Sequence, residues 1–232
     1  MKHSGRARKA AFKLILISLI AVLAIWAIGA FTVTAAAVIA AIALAITPFL
    51  VVVWIVFSFF TLYFFRDPEA RAPAGAKLIL SPAHGKVDVI DTTTEPQFMG
   101  GECQRVSIFL SVIDVHVQNA PVSGKIAFFK YSTGQFLNAL KTASAVHNEN
   151  VLLGFEASEP SGSRVGVRLI AGVLARRIVP FVQEGQEVAR GERISLIQFG
   201  SRTDVYLPGN VKIKIKLGDR VVGGETVLAV FE

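Results

Sequence analysis

From Leu14 to Phe65 the chain carries no charged residue. A run of that length exceeds the roughly 20 apolar residues that one membrane-spanning helix needs and is about right for two. Thr32-Val33-Thr34 is the predicted turn between a first span near residues 13–31 and a second near 36–64, and Pro48 would kink the second span or restart it. A cleaved signal peptide fits poorly, because its apolar core is only about 7 to 15 residues and no polar region with a small-residue cleavage site follows here. Residues 1–65 are therefore read as a basic tail plus a membrane-embedded helical hairpin, spanning or re-entrant.

Charge supplies an orientation. Lys2, Arg6, Arg8, Lys9 and Lys13 precede the apolar run with no acid among them, while Arg66 and Arg71 follow it. Basic residues on both flanks favour both ends on the cytoplasmic side of an inner membrane. The net +7 divides into +5 before residue 14 and +2 after it, so the basic tail suits anionic lipid headgroups and the near-neutral remainder argues against nucleic acid. Cys103, the single cysteine, allows no internal disulfide, as expected of a cytosolic domain.

Residues 66–77, rich in Pro, Gly and charge, read as a linker. Beyond them helical periodicity nearly vanishes. Short Val-, Ile- and Phe-rich runs punctuated by Gly and Pro predict a mostly β domain over 78–232, with strands near 78–80, 85–91, 104–110, 124–131, 150–155, 164–170, 178–181, 193–199, 203–207, 212–216 and 227–231. Residues 136–144 are the one short helix predicted, and 169–176 are ambiguous. Two internal repeats sharpen the fold. Residues 182–194 match 215–227 at an offset of 33, each unit holding two Gly turns around a Val, and Pro82-Ala83-His84-Gly85-Lys86-Val87 recurs as Pro121-Val122-Ser123-Gly124-Lys125-Ile126 at an offset of 39. Gly-turn hairpins of this kind resemble the flattened barrel-sandwich of biotinyl and lipoyl carrier domains.

Within Ile197-Gln198-Phe199-Gly200-Ser201-Arg202-Thr203-Asp204-Val205-Tyr206-Leu207-Pro208, the Gly200-Ser201 bond is the candidate for self-cleavage. Gly200 lacks a Cβ, which leaves its carbonyl open and its backbone able to adopt strained angles. The Ser201 hydroxyl, once a base takes its proton, can attack that carbonyl and turn amide into ester. Elimination and hydrolysis would then leave a pyruvoyl group at the head of a new chain. Alone, Gly-Ser is far more often a turn.

Its neighbours carry the resemblance. Phe199 to Pro208, with Phe65-Arg66-Asp67-Pro68-Glu69, Ser81-Pro82-Ala83-His84-Gly85-Lys86-Val87 and Phe109-Leu110-Ser111-Val112-Ile113-Asp114-Val115-His116-Val117, resembles the short bacterial and archaeal type of phosphatidylserine decarboxylase, in one order from about Phe64 onward. The resemblance implies a proenzyme that cuts itself at Gly200-Ser201 into a β chain, 1–200, and an α chain, 201–232. It further implies a covalent pyruvate cofactor made from Ser201, which forms a Schiff base with the substrate's serine amine and takes up the electrons released with CO2. Phosphatidylserine would be converted to phosphatidylethanolamine, and no metal is implied. Association with anionic membrane lipids and with further copies of the chain is compatible with this reading.

The resemblance also implies site residues. His116 would carry protons during processing or decarboxylation, and Asp114 shares its face if the segment is extended. His84 stands where the family has Asp in Pro-Ala-Asp-Gly, an acid that helps a histidine activate the cleavage serine. A neutral imidazole cannot replace that charge, so either His84 is itself the base or the chain processes slowly or not at all. Asn119, where the family has Arg, removes a positive charge. His147-Asn148-Glu149-Asn150 resembles another stretch near the family's site and makes Glu149 and Asn150, with Asn119, candidates for holding substrate. Two rivals remain at this level: a non-enzymatic membrane-anchored barrel, including a decarboxylase relative that never cuts itself, and a decarboxylase of another serine-headgroup lipid such as archaetidylserine.

Overall fold

The computed structural model describes residues 6–135, 148–172, 177–198 and 201–232. The chain forms two compact units, Met1–Phe60 and Thr61–Glu232. The short helix predicted at 136–144 lies outside the described residues, as do residues 173–176 of the ambiguous stretch.

The first unit is built on α1 (Arg6–Phe64), one continuous helix of 59 residues. It is apolar on all sides, and Trp26, Phe31, Leu44 and Phe59 are each at least 70% exposed. Such a helix suits a lipid environment better than a soluble core. The turn expected at Thr32-Val33-Thr34, and with it the hairpin, is not seen. The Thr32 hydroxyl donates to the Gly29 carbonyl, and that of Thr34 to those of Ala30 and Phe31. Both polar groups are thereby satisfied inside the helix, so nothing forces the backbone to break there. Pro48 sits within the helix and removes one backbone donor, leaving the Leu44 carbonyl without its usual partner. At full extension 59 residues measure about 90 Å, roughly three times the hydrocarbon thickness of a bilayer.

The second unit is mostly β, as the Val, Ile and Phe runs predicted. Its main sheet has eight strands in the order β13-β2-β3-β11-β7-β6-β5-β9. These are β2 (Gly85–Glu95), β3 (Gly101–Leu110), β5 (Gly124–Ser132), β6 (Asn150–Ala157), β7 (Ser163–Ala171), β9 (Glu187–Val188), β11 (Ser201–Leu207) and β13 (Arg220–Val221). Two three-stranded sheets complete it. One joins β1 (Leu78–Leu80), β14 (Val227–Phe231) and β12 (Val211–Ile213), and the other joins β4 (Val117–Asn119), β10 (Arg193–Gln198) and β8 (Arg177–Pro180). Alternate side chains of the sheets, among them Val106, Ile108, Leu153, Val167, Val205 and Leu228, bury one apolar core.

The internal repeats become a near-twofold duplication of backbone contacts. Gly85 pairs with Val221 and Gly124 with Val188. Bulges fall between Val87 and Val89 in one hairpin and between Ile126 and Phe128 in the other, the same offset of 39 residues apart. Leu80 N–H donates to the Pro121 carbonyl and Asn119 N–H to that of Pro82, so the two copies grip each other. Each copy also needs its glycine. A Cβ on Gly85 would lie 2.3 Å from the Phe109 carbonyl oxygen, and one on Gly124 2.0 Å from that of Glu156, closer than any side chain could approach.

Candidate active site

β11 runs through the middle of the main sheet, paired with β3 along one side and β7 along the other. Its residues alternate between two buried faces: Val205 and Leu207 enter the apolar core, and Ser201 and Thr203, in phase with them, point the same way. Ser201 is fully buried opposite Leu110 and Ala171. Its hydroxyl has no hydrogen-bond partner among the described residues. A buried hydroxyl left unpaired costs about 1 to 3 kcal/mol, a cost that Ser201 shares with the Thr203 hydroxyl on the same strand. Phe199 and Gly200 lie outside the described residues.

The opposite face of β11 is charged and equally buried. Arg202 forms an ion pair with Asp88, and Asp204 is 1% exposed opposite Ser107 and Arg168. Burial pushes the Asp204 carboxyl above its ordinary range, opposed by the Ser107 hydroxyl and by the Arg202, Arg105 and Arg168 guanidiniums.

His116 sits beyond the end of β3, at the entry to β4. Its ring is fully buried and packs on Phe64 with centroids 4.4 Å apart at 32°. Nδ1 lies 2.9 Å from the Asp114 carbonyl oxygen, which can only accept, so Nδ1 carries the proton and the lone pair is on Nε2. The His116 carbonyl takes hydrogen bonds from Ile197 N–H and from the Gln118 side chain, which fixes the residue against β10, four positions before Ser201. Burial lowers its pKa to about 4, against the opposing pull of the Asp114 carbonyl and carboxylate.

Asp114 departs from the expected geometry. Residues 111–114 form a turn rather than a strand, closed by Asp114 N–H on the Ser111 carbonyl. The Asp114 carboxylate caps Ser111 N–H at 2.9 Å and pairs with Arg220 at 3.1 Å. It therefore reaches His116 through its backbone oxygen and not across a shared strand face. His84 is half-buried, its pKa lowered by burial and by the Arg66 charge and partly restored by Asp114 and Glu225. It also adds to the charge felt at His116. A methyl on Gly223 would lie 3.0 Å from both the His84 ring and the Asn119 side-chain oxygen, so a glycine turn makes room for the imidazole.

The remaining candidates divide. Asn119 is buried and donates its amide to the Gly191 carbonyl, tying the turns of both repeats together. Glu149 meets the Ser201 neighbourhood through the backbone: its carbonyl accepts from Ala171 N–H, the residue paired with Ser201. Its carboxylate accepts from Ile178 N–H and bonds the Tyr131 hydroxyl. The Asn150 side chain donates to the Asn148 carbonyl, and Asn148 donates to the Ala171 carbonyl at 2.7 Å. Asn148, Phe64 and Arg66 were not singled out as site residues from sequence. Asn148 stands beside two that were, and Phe64 and Arg66 read only as membrane-flank residues.

A family model for phosphatidylserine decarboxylase matches residues 57–229. A phosphatidylserine decarboxylase proenzyme from Desulfotalea psychrophila is 40% identical over 77% of this chain and 83% of its own length. The proenzyme from Gluconobacter oxydans is 47% identical over 75% and 78%. Among solved structures, glucose permease IIA from Mycoplasma capricolum aligns with a TM-score of 0.38 at 17% identity, over 68% of this chain and 97% of that one.

Proposed function

The chain belongs to the phosphatidylserine decarboxylase family, and we propose that its chemistry is centred on Ser201 at the buried head of β11, with His116 as the proton carrier. It is a carboxy-lyase made as a proenzyme, decarboxylating phosphatidylserine in phospholipid synthesis. The observation that carries the assignment of the centre is the fully buried hydroxyl of Ser201, without a hydrogen-bond partner among the described residues and, unlike that of Thr203, directly following a glycine.

In this reading the Ser201 oxygen attacks the Gly200 carbonyl and His116, neutral at pH 7 with its lone pair on Nε2, takes the hydroxyl proton. Ser201 fits conversion to a pyruvoyl group: on elimination its oxygen leaves with the Gly200 carboxyl and Cβ becomes a methyl, which loses no hydrogen bond made among the described residues, while the ketone forms at Cα where the nitrogen is released by hydrolysis. When formed, that group supplies an electrophilic carbonyl and a sink for the electrons released with CO2. The low basicity of His116 suits it to return a proton as readily as it takes one. The Asp114 carbonyl holds its tautomer, and Phe64 and burial keep water from the ring. Asn148 and Glu149 shape the wall beside Ala171, where we place the substrate's serine head.

Leu16–Phe64 is long and apolar enough to cross a membrane. We assign it as the anchor, in the inner membrane, with the β unit on the cytoplasmic face. Arg66 and Arg71, on the flank that joins the β unit, support this orientation. Phe64, the last residue of the run, packs on His116, so the centre lies where the chain leaves lipid and meets headgroups without extracting them into water.

Intact mass measurement tests the centre. The purified protein should contain a chain of residues 201–232 with a pyruvoyl N-terminus, and Ser201→Ala should remain one chain of 25.0 kDa. A wild-type chain that stays whole overturns the assignment.

A further inference from the structure

Two turns of the β unit share one construction. In Ser111–Asp114 the aspartate N–H bonds the Ser111 carbonyl and the Asp114 carboxylate caps Ser111 N–H. In Lys216–Asp219 the aspartate N–H bonds the Lys216 carbonyl and the Asp219 carboxylate caps Lys216 N–H. Each turn is thus closed by its aspartate, and neither needs an apolar residue at its tip. Yet the tips are Ile113, 53% exposed, and Leu217, 66% exposed. Single exposed apolar side chains are ordinary, but these two belong to one edge. Arg220, three residues after Leu217, pairs with Asp114, one residue after Ile113. The second turn is fixed to β2 by Gly218 N–H on the Val87 carbonyl and Val87 N–H on that of Asp219. Beside Leu217 opens a mostly apolar cleft of about 430 Å³, walled by Phe109, Val87 and Leu217 with Lys86 at its rim.

The edge is ringed by cations. Lys86 and Lys216, beside Leu217 in the cleft and in the turn, are exposed, and the Arg220 side chain is 69% exposed even in its ion pair. The acids nearby are engaged: Asp114 and Asp219 in their turns, Asp88 with Arg202. The edge is also tied to the first residues of the β unit. Arg66, two residues past the apolar run, donates its guanidinium to the Ile113 carbonyl at 2.7 Å, which holds that tip beside the point where the chain emerges from lipid.

We propose that this edge is a second membrane contact, in which Ile113 and Leu217 enter the headgroup boundary of an anionic bilayer and the surrounding lysines and arginines meet lipid phosphates. The proposal rests on the reading of the chain as a membrane-anchored phospholipid decarboxylase and adds the surface by which its soluble unit faces the substrate. Insertion at two tips would hold the site against the bilayer instead of leaving it to tumble on its tether.

The test uses the full chain reconstituted in vesicles of phosphatidylcholine with about one quarter phosphatidylglycerol. Cysteines carrying an environment-sensitive dye are placed at Ile113, at Leu217 and, as a distant control, at Glu159. The dye at 113 and 217 should shift to the blue and resist an aqueous quencher, more in anionic vesicles than in pure phosphatidylcholine, while the dye at 159 does neither. Equal quenching at all three positions overturns the proposal. So does protection that follows protein concentration and ignores lipid charge, because the edge would then bind a second copy of the chain. In a second arm, Ile113→Asp with Leu217→Asp should raise the apparent KM for vesicular phosphatidylserine about tenfold, leave that for a short-chain soluble analogue unchanged and still release the 201–232 chain. A matching rise for both substrates refutes docking. Failure of the wild-type chain to cut or turn over would refute the decarboxylase assignment, while the dye signals still decide the docking surface.

Discussion

His116 illustrates how burial sets chemistry. Its pKa near 4 keeps the imidazole neutral across the physiological range, whereas an ordinary histidine would be half protonated near 6.5. Self-cleavage, followed as the appearance of the 201–232 chain, should therefore be flat in rate between about pH 5.5 and 7.5 as far as His116 governs it; a sigmoidal loss centred near 6.5 would contradict the assignment. Stability moves with the same shift. The unfolded chain takes the proton first, so the contribution of neutral His116 is present above about pH 6.5 and is lost as the pH falls toward 4. At position 84 the prediction is a gain. His84→Asp would put a carboxylate where the His116 environment contains Arg66 and Asp114. Cleavage should accelerate by about tenfold or more, since an acid that steadies an imidazolium is worth at least this much in comparable triads; an unchanged rate would show that His84 already does the work of the acid.

At the scale of elements, the two glycine hairpins were legible in the sequence because their spacing repeats, and the repeat is a backbone requirement. Gly124→Ala would drive a Cβ to 2.0 Å from the Glu156 carbonyl and should lower the unfolding free energy by about 2 to 4 kcal/mol. Gly185→Ala, at φ +90 with nothing within 4 Å, should cost only about 1 to 2 kcal/mol; denaturant melts of the two variants measure the difference. Most strands were equally readable from alternating Val, Ile and Phe. The two-residue strands β9 and β13 were not, because so short a pairing is decided by the partner glycine and not by its own composition. The turn predicted at Thr32-Val33-Thr34 failed for a related reason, since hydroxyls that look like loop formers can fold back onto helix carbonyls. At the proposed site, the burial of Ser201 and His116 was not legible, and only the motifs around them singled the two residues out. The contact of Phe64 with His116 was hidden inside an apolar run, and the shared face expected of Asp114 and His116 in an extended segment gave way to a turn that the Asp114 carboxylate itself caps.

For the molecule as a whole, the anchor is read from its flanks. Because α1 is one continuous helix, a single crossing puts its two ends on opposite faces: a cysteine introduced at Ala74 should react with an impermeant reagent from the cytoplasmic side and one at Ser4 only from the other, with Cys103, buried in the wild type, as the silent background; labelling of both from the cytoplasmic side would mean that the helix does not cross. The centre of the β unit has a different consequence. Because β11 is laddered on both edges, by β3 and by β7, over most of its length, while β13 and β14 downstream pair with β2 and β1, scission ahead of Ser201 would divide the polymer without dividing the particle. The fresh terminus, which in most proteins would fray, starts life clamped between neighbours, and the severed tail can leave only if the sheet is unzipped from its middle.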